Sequence, residues 1–434
     1  MRKGGIAMAR ETAKSLRNQV MYCVYVRQYG KNGTFREVQD DLDRIRSLGV
    51  DVIWLMPVHP VGEQKRCGSL GSPYAVRDYR AINPEFGSMD DFRALTDAIH
   101  EKGMRCIIDV VFNHTSPDSV LAQTHPEWFY HRPDGSFGNR IGEWADIIDL
   151  DYGQKGLWEE QIQTLKQWAR LVDGFRCDVA PLVPLEFWKR ARAEMAKVRP
   201  DCLWLAESVE AEFIVQNRAR GMTCLSDGEL YEAFDITYEY DAYHDFIRLL
   251  NGECDLDDYL EKLNRQEYLY PDNYVKLRFL ENHDRPRAAF CLPDVRIRRN
   301  WTAFLYFRKG MTLLYNGQEA ECAHRPSLFE ADRIDWTGGD SSEFLRNLSR
   351  IKRNTILSEG GFTARNGGNG VIVAEYEKDG HRLIGAFGTA GTPAPVRMNV
   401  PDGMYRNEID GGTVRIESGL LSFGGEPVIF QTMA

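Results

Sequence analysis

The feature that most limits the fold of this 434-residue chain is an alternation of short apolar runs with segments of helical periodicity. A continuous apolar run predicts a strand that is buried on both faces, and strands that alternate with helices indicate a parallel sheet covered by helices. The predicted strands are Val20–Val26, Val52–Met56, Cys106–Val111, the run that ends at Asp178, Cys202–Ala206, Phe234–Thr237, Leu277–Leu280 and Thr312–Tyr315.

These strand–helix units predict a (β/α)8 TIM barrel. The periodicity fails from Thr115 to about Gln154, and an irregular insertion of this length is usually functional. Beyond about Asn354, short alternating runs separated by glycine-rich turns indicate a small antiparallel β domain. We therefore predict a barrel formed by residues 1–114 and 155–355, a short insertion of residues 115–154 and a C-terminal β domain of residues 356–434. The strands predicted for the last domain are Val371–Tyr376, Arg382–Phe387, Val396–Val400, Leu420–Phe423 and Val428–Gln431.

Composition limits the classes of partner and the compartment. The formal net charge is −10 and the sequence has no basic stripe, so we do not expect nucleic acid as a partner. We expect no membrane partner either, because no apolar run approaches the length that spans a bilayer. The segment Met1–Gln19 lacks the apolar core of a secretory signal, and the nine cysteines are scattered without a C-x-x-C pair. These features predict a cytoplasmic protein with reduced thiols; nothing in the sequence indicates an oligomeric state.

The stretch Gly174–Ala180 carries the first sign of chemistry, because it places Arg176 two residues before Asp178 at the end of an apolar run. Residues i and i+2 of a strand point the same way, so the two side chains share a face. A neighbouring guanidinium lowers the pKa of a carboxyl group, and an ionised carboxylate is the nucleophile of retaining glycoside-cleaving enzymes. Taken alone, such a pair is more often a structural ion pair at a strand end, because ion pairs are common and short motifs match by accident.

The ends of three other predicted strands add polar residues. The third strand ends in the segment Asp109–His114, the fifth ends at Glu207, and the seventh runs into Glu281–Asp284. In a TIM barrel the chemistry takes place at the C-terminal ends of the strands. The sequence therefore predicts one pocket that combines several carboxylates, two histidines and an arginine.

In this order and at this spacing, the stretches resemble the four signature regions of the α-amylase superfamily, glycoside hydrolase family 13. The matching stretches are Asp109–His114, Gly174–Ala180, Leu205–Glu207 and Phe279–Asp284. Further similarity lies in Gly49–Pro57, Ser72–Tyr79, Ile148–Asp151 and Gly317–Glu319. The resemblance covers the whole predicted barrel, and the small C-terminal β domain of the family fits the tail of the chain.

The resemblance implies a role for each of three carboxylates. Asp178 is implied to be the nucleophile that forms a glycosyl-enzyme intermediate. Glu207 is implied to be the acid/base, which requires a raised pKa so that it holds a proton near neutral pH. Asp284 is implied to hold sugar hydroxyls and to favour the distorted, oxocarbenium-like state.

Five further side chains are implied to support these carboxylates. Arg176 keeps Asp178 ionised, and Asp109 contacts Arg176 from behind. The side chains implied to contact the sugar in the cleaved subsite are Tyr74, which stacks on it, and His114 and His283, which hydrogen-bond to it.

The chemistry requires no cofactor, but the resemblance implies a structural calcium ion. Asn113 and Asp149 match two of its ligands in the family, and calcium takes oxygen ligands. Many α-amylases carry Lys-His three and four residues after the nucleophile, where this chain has Pro181 and Leu182. That histidine serves the calcium ion through its backbone, so its absence puts both the calcium site and the sugar contacts beyond the cleaved bond in question.

The resemblance thus implies an α-glucan oligosaccharide as the substrate and retaining hydrolysis of α-1,4 bonds in malto-oligosaccharides or dextrins. A glucanotransferase or phosphorylase of the same superfamily would share the three carboxylates and differ in what attacks the intermediate. A non-catalytic glycan-binding protein on the same fold is another alternative, although the intact carboxylates argue against it. An unrelated TIM-barrel enzyme remains a further alternative, since the fold hosts many chemistries. Endo and exo cleavage are both compatible with the sequence.

Overall fold

The computed structural model describes residues 11–142 and 144–433. Eight parallel strands close into a barrel in which each strand pairs with its neighbours in sequence and the last pairs with the first. The strands are β1 (Val20–Val24), β2 (Val52–Leu55), β3 (Arg105–Val110), β4 (Gly174–Cys177), β5 (Leu203–Ala206), β6 (Ile236–Tyr238), β7 (Lys276–Arg278) and β8 (Met311–Tyr315). The first ten residues of the predicted barrel, which also begin the segment Met1–Gln19, lie outside the described residues.

Helices cover the outside of the barrel, and most of them bury one apolar face. In Lys155–Trp168, for example, Ile162 and Leu165 are buried at helical spacing. The helices are Val26–Tyr29, Phe35–Asp40, Leu42–Ser47, Met89–Glu101, Lys155–Trp168, Leu185–Met195, Ala211–Ala219, Asp227–Leu230, Tyr240–Leu250, Leu256–Leu269, Ala288–Cys291, Val295–Phe307, Ser342–Lys352 and Ile356–Glu359. Within the described ranges, no helix combines the length and the apolar character that crossing a membrane would require.

Between β6 and β7 the chain forms two helices, Tyr240–Leu250 and Leu256–Leu269, and it turns between them at Gly252, which has a φ of 71°. The seventh strand was predicted as Leu277–Leu280 but lies earlier and begins at Lys276. This lysine is fully buried and its Nζ lies 2.6 Å from Asp227 Oδ2. The strand therefore begins with a charged residue, which a search for apolar runs leaves out.

The insertion leaves the barrel after β3. Its base is a two-residue antiparallel pair in which His114 lies opposite Asp149 and Thr115 lies opposite Ile148. Between these strands lie a helix, Val120–Thr124, and a 3-10 turn, Pro126–Trp128. The insertion therefore begins and ends beside the carboxyl ends of the barrel strands, where His114 is held.

The C-terminal region forms two four-stranded antiparallel sheets. One has the order β9 (Gly361–Asn366), β10 (Val371–Lys378), β11 (His381–Gly388) and β16 (Val428–Met433). The other has the order β12 (Ala394–Arg397), β15 (Leu420–Phe423), β14 (Thr413–Glu417) and β13 (Gly403–Arg406). The predicted fold class is therefore confirmed, whereas the residue bounds of the three domains stay predictions.

Candidate active site

A cavity of about 520 Å³ opens at the carboxyl ends of the barrel strands. It brings together the three carboxylates and the three substrate-contact side chains that the sequence predicted to face a common pocket. Those lining residues are Tyr74, His114, Asp178, Glu207, His283 and Asp284. Their convergence follows from the barrel, because each is held at or beyond the end of its strand.

One fully buried guanidinium connects the carboxylates of this site. Arg176 Nη1 lies 2.8 Å from Asp109 Oδ1 and 2.8 Å from Asp178 Oδ1, and Nη2 lies 2.7 Å from Glu207 Oε1. Arg176 Nε donates to the Tyr238 hydroxyl at 3.2 Å. The register of β3 and β4 sets this geometry, because it pairs Asp109 with Arg176. The contacts to Asp178 and Asp109 agree with the sequence, while the contact to Glu207 was not foreseen.

The two carboxyl groups nearest the guanidinium differ in their proton affinity. Burial raises the pKa of Asp178 to about 6, and the charge of Arg176 opposes that shift. Burial also raises the pKa of Glu207 to about 7, with the neighbouring charges of Asp178 and Asp284 adding to the rise against the effect of Arg176. Near neutral pH, Glu207 therefore retains a proton more readily than Asp178 does.

Asp284 forms a second group with a histidine and a tyrosine. Its Oδ2 lies 3.1 Å from Nε2 of His283, and that nitrogen is 2.7 Å from the Tyr74 hydroxyl. Burial favours the protonated acid, but the interaction with His283 outweighs it and lowers the pKa of Asp284 to about 2. The Tyr74 ring stacks on the His283 ring with centroids 5.5 Å apart. Asp284 is thus held as an acceptor of hydrogen bonds on the cavity wall.

His114 lies on the insertion side of the cavity. Its Nε2 is 3.9 Å from Asp178 Oδ2, and burial lowers the pKa of the imidazole to about 4. The ring is therefore neutral at physiological pH and offers one donor and one acceptor nitrogen. It can hydrogen-bond a hydroxyl group without adding charge beside Asp178.

Sequence reasoning missed three groups that shape the site. The backbone amide of Val179 donates to Glu207 Oε2 at 2.7 Å, and Val179 has a left-handed φ of 35°, which a β-branched residue rarely adopts. Trp54 Nε1 donates to Asp109 Oδ2 at 3.1 Å. Arg285 pairs with Glu210 on the cavity wall. Trp54 lies in a continuous apolar run, so the sequence predicts a core residue there. No residue pattern predicts the backbone conformation of Val179.

The residues expected to bind calcium lie around a separate cavity of about 340 Å³, lined by Asn113, Asp149 and Leu182 among others. Asp149 Oδ1 is buried without a hydrogen-bond partner among the described residues. The same cavity, however, receives the side chain of Arg140, whose Nη1 lies 3.7 Å from Asp149 Oδ2 and 3.3 Å from the Leu150 carbonyl oxygen.

A calcium ion takes six to eight oxygen ligands, so Asn113 and Asp149 would need further oxygens from this cavity, which Asp151 also lines. The Arg140 guanidinium places positive charge beside Asp149. The calcium site stays a prediction. No group of three or more His, Cys, Asp or Glu side chains in the part of the chain that the structure describes could hold a metal ion.

Comparison with known proteins places this arrangement in a family. Residues 10–135 and 122–355 match "Alpha amylase, catalytic domain", and residues 363–430 match "Bacterial Alpha amylase C-terminal domain". An alpha-amylase structure from Lactobacillus plantarum is 43% identical, covers 97% of this chain and 100% of its own, and has a TM-score of 0.95. The noncanonic maltogenic alpha-amylase AmyB from Thermotoga neapolitana is 31% identical over 97% of this chain and 100% of its own, with a TM-score of 0.85.

The curated relatives carry a different activity in their names. The alpha-1,4-glucan:maltose-1-phosphate maltosyltransferase of Rhodospirillum rubrum is 30% identical over 274 residues, which is 58% of this chain and 37% of the relative. The matching enzyme of Picrophilus torridus is 31% identical over 246 residues, 50% of this chain and 39% of the relative. The match thus spans well under half the length of these relatives.

A parallel barrel with a carboxylate-lined cavity at its carboxyl end defines an enzyme-type TIM barrel. The family matches cover most of that barrel and of the C-terminal sheets. The chain belongs to the alpha-amylase family, glycoside hydrolase family 13.

Proposed function

We propose that this protein is a retaining glycoside hydrolase that cleaves α-1,4 bonds in malto-oligosaccharides and dextrins. The observation that carries the proposal is the pair Asp178 and Glu207, whose carboxyl groups contact the two terminal nitrogens of one buried guanidinium, Arg176. In retaining enzymes the nucleophile and the acid/base stand about 5–5.5 Å apart, whereas inverting enzymes need a wider gap for water. The shared guanidinium holds both carboxyls within reach of one glycosidic bond, and the retaining class is what the resemblance to the family implies.

In the first step, Asp178 attacks the anomeric carbon of the bound glucosyl unit while Glu207 donates its proton to the departing glycosidic oxygen. The C–O bond to the leaving sugar breaks and a bond from C1 to Asp178 Oδ2 forms, since Oδ1 is engaged by Arg176. The difference in proton affinity between the two carboxyls supports this assignment, because the acid with the higher pKa is the one that carries the proton.

In the second step, Glu207 has lost its proton and acts as a base toward water. Water attacks the same carbon, the bond to Asp178 breaks, and the proton of water returns to Glu207. The hydrogen bond from the Val179 amide and the contact to Arg176 hold the glutamate carboxyl in one place for both transfers. Two inversions at C1 leave the product with the α configuration of the substrate.

Asp284 and the neighbouring rings hold the glucosyl unit during these steps. The low pKa of Asp284 keeps it ionised, so that it accepts hydrogen bonds from sugar hydroxyls. His114 and His283 supply further hydrogen bonds, and Tyr74 offers its ring to a sugar face. A fixed carboxylate that binds sugar hydroxyl groups on the cavity wall supports the ring distortion of an oxocarbenium-like transition state.

A transferase that uses phosphate is the second candidate, because the curated relatives are named maltosyltransferases. A site that binds a phosphate group, as the leaving group of maltose 1-phosphate or as the acceptor in the reverse reaction, requires cationic side chains that are free to bind it. Among the described residues that line the cavity, Arg285 is the one arginine or lysine, and it is paired with Glu210. Its guanidinium also lies over the ring of Tyr240 at 4.7 Å. This arrangement favours water over phosphate as the acceptor.

The rate of hydrolysis is expected to depend on pH with a narrow maximum between about pH 6 and pH 7. Activity rises with pH as Asp178 loses its proton, near a pKa of about 6, and falls as Glu207 loses its proton, near a pKa of about 7. The measurement is kcat/KM for maltoheptaose from pH 4 to pH 9, followed by the release of reducing ends.

Glu207→Gln separates the two limbs of this profile. Glutamine cannot donate the proton, so the variant should lose the alkaline limb together with most of its activity toward natural sugars. For a substrate with a good leaving group, such as a maltosyl fluoride, formation of the intermediate should still follow the acid limb. An alkaline limb that persists in this variant would show that another group is the acid.

A further inference from the structure

Two loops that are joined by hydrogen bonds line the side of the cavity opposite the acid/base. In the closed barrel, β1 pairs with β2 on one side and with β8 on the other, so the loops that follow β2 and β8 flank the end of β1. Glu207 follows β5, which is four strands away from β1 in either direction. The two loops therefore lie diametrically across the barrel mouth from Glu207.

Direct hydrogen bonds join these loops, which we call the donor wall (residues 67–72 and 328–330). The Leu70 amide donates to the Phe329 carbonyl oxygen at 3.0 Å, and the Ser69 amide donates to Glu330 Oε1 at 2.8 Å. Gly68 has a φ of 66°, and a Cβ there would lie 2.6 Å from the Phe329 Cβ. Glycine at this position lets the two backbones approach each other.

A buried arginine anchors the donor wall to the end of β1. Arg27 is fully buried, and its Nη1 donates to the carbonyl oxygens of Gly71 at 2.8 Å and of Leu328 at 2.9 Å, one from each loop. Its charge is balanced by Glu85, 3.0 Å from Nε. The Tyr25 hydroxyl also donates to the Leu328 carbonyl oxygen, at 2.9 Å. Arg27 and Tyr25 directly follow β1, so their hydrogen bonds fix the position of the donor wall relative to the barrel.

The donor wall faces the same cavity as the catalytic carboxylates. Cys67, Ser72, Leu328 and Phe329 line it, and the Ser72 hydroxyl accepts a hydrogen bond from the amide of Tyr74 at 3.2 Å. Phe329 is 39% exposed and lines the cavity, so its ring is accessible to a ligand bound there. Aromatic and apolar side chains offer flat surfaces to sugar rings, so Phe329 presents such a surface at the end of the cavity.

The chemistry of the proposed function tells which part of the substrate meets the donor wall. The acid/base protonates the oxygen of the leaving sugar, so the leaving part of the chain lies on the Glu207 side. The glucosyl unit attacked by Asp178 and all units attached to its non-reducing side extend the other way, toward the donor wall. An α-glucan chain that continued past that side would run into the joined loops.

We propose that the enzyme acts at the non-reducing ends of α-glucan chains and releases short malto-oligosaccharides from them. The proposal rests on the retaining hydrolase function and adds exo action to it. The donor wall seats the terminal sugar, with Phe329 against its ring, and internal segments of a chain are excluded because they cannot pass. Specificity of this kind arises from a steric barrier against the wrong substrate rather than from extra attraction to the right one.

The test compares p-nitrophenyl maltoheptaoside with the same molecule whose terminal O4 and O6 are bridged by an ethylidene group. The products of both are separated by chromatography over time. We expect kcat/KM for the blocked substrate to be lower by about 100-fold, because the added carbons collide with the donor wall. Equal cleavage of the two substrates would overturn exo action but leave the hydrolase function standing. Cleavage of neither substrate would instead contradict the hydrolase function.

A pair of matched variants tests the donor wall itself. Phe329→Ala makes room at the end of the cavity and should raise the ratio of blocked to unblocked cleavage by about tenfold. Phe290→Ala removes a phenylalanine that is 69% exposed and lies outside the residues that line the cavity, so it should leave the ratio unchanged. An unchanged ratio in a folded Phe329→Ala protein would overturn the assignment of the donor wall as the barrier.

Discussion

Replacing Asp178 with asparagine is expected to lower kcat for maltoheptaose by on the order of 10⁴- to 10⁶-fold, the range seen when a catalytic nucleophile is removed. The amide has nearly the same shape, so the cavity and the fold are retained. It cannot attack the anomeric carbon, and no covalent intermediate forms. The measurement is the single-turnover and steady-state rate of reducing-end release, with circular dichroism to check the fold.

A matched substitution separates loss of the nucleophile from a general effect of removing a negative charge. Asp90→Asn replaces a carboxylate whose side chain is 89% exposed on the first turn of the helix Met89–Glu101. This variant should retain the wild-type rate. Substantial turnover by Asp178→Asn, with the control unchanged, would refute the assignment of the nucleophile.

Replacing Arg176 with glutamine is expected to cost about 3–5 kcal/mol of the free energy of unfolding at pH 7, the usual loss when one partner of a buried ion pair is removed. The variant leaves Asp109, Asp178 and Glu207 in the interior without their common cation. Those carboxylates must then ionise without compensation or bind protons. Urea unfolding followed by tryptophan fluorescence measures the loss.

The dependence of this loss on pH identifies its cause. Burial raises the folded-state pKa of Asp109 and Asp178 to about 6 and that of Glu207 to about 7, above ordinary values for carboxyl groups. A carboxyl with a raised folded-state pKa destabilises the fold as pH rises above its unfolded pKa, and removing Arg176 enlarges that effect. The difference in the free energy of unfolding between Arg176→Gln and the wild type should therefore become smaller as the pH falls from 7 toward 4.5.

An exposed arginine provides the control for this experiment. Arg36→Gln removes a guanidinium that is 74% exposed and paired with Asp40 on one helix, and it should remain within about 0.5 kcal/mol of wild type at every pH. A loss for Arg176→Gln that is equal at pH 7 and pH 4.5 would point to packing rather than charge as the reason.

The barrel could be predicted because most of its strands are continuous apolar runs in the sequence, such as Val52–Leu55. Strand β7 was misplaced because its buried lysine, Lys276, breaks that pattern. In the C-terminal sheets, β9, β13 and β14 were missed. These strands expose most of their residues, as in Gly403–Arg406, and therefore lack the apolar signal on which the prediction relied.

The active site also has a part that the sequence predicts and a part that it does not. Residues in short motifs at strand ends, such as Asp178 and His283, could be named from the sequence, and the structure brings them to one cavity. The donor wall could not be predicted, because it depends on two loops that meet only in the folded barrel; Ser69 and Glu330, which join them, are 261 residues apart in the sequence. The predicted calcium site rested on Asn113 and Asp149 alone. Arg140, whose guanidinium lies near Asp149, belongs to the irregular insertion, and no sequence pattern predicts its position.

The most direct test of the proposed retaining hydrolase is proton NMR of maltoheptaose mixed with the enzyme, with anomeric signals followed over the first minutes. We expect new reducing ends to appear first as the α anomer, on shorter sugars, and we expect inorganic phosphate to leave the products unchanged. Early β-anomeric signals would contradict a retaining mechanism. A sugar phosphate formed when phosphate is added, or longer chains formed beside shorter ones, would contradict hydrolysis and place the protein with the transferases.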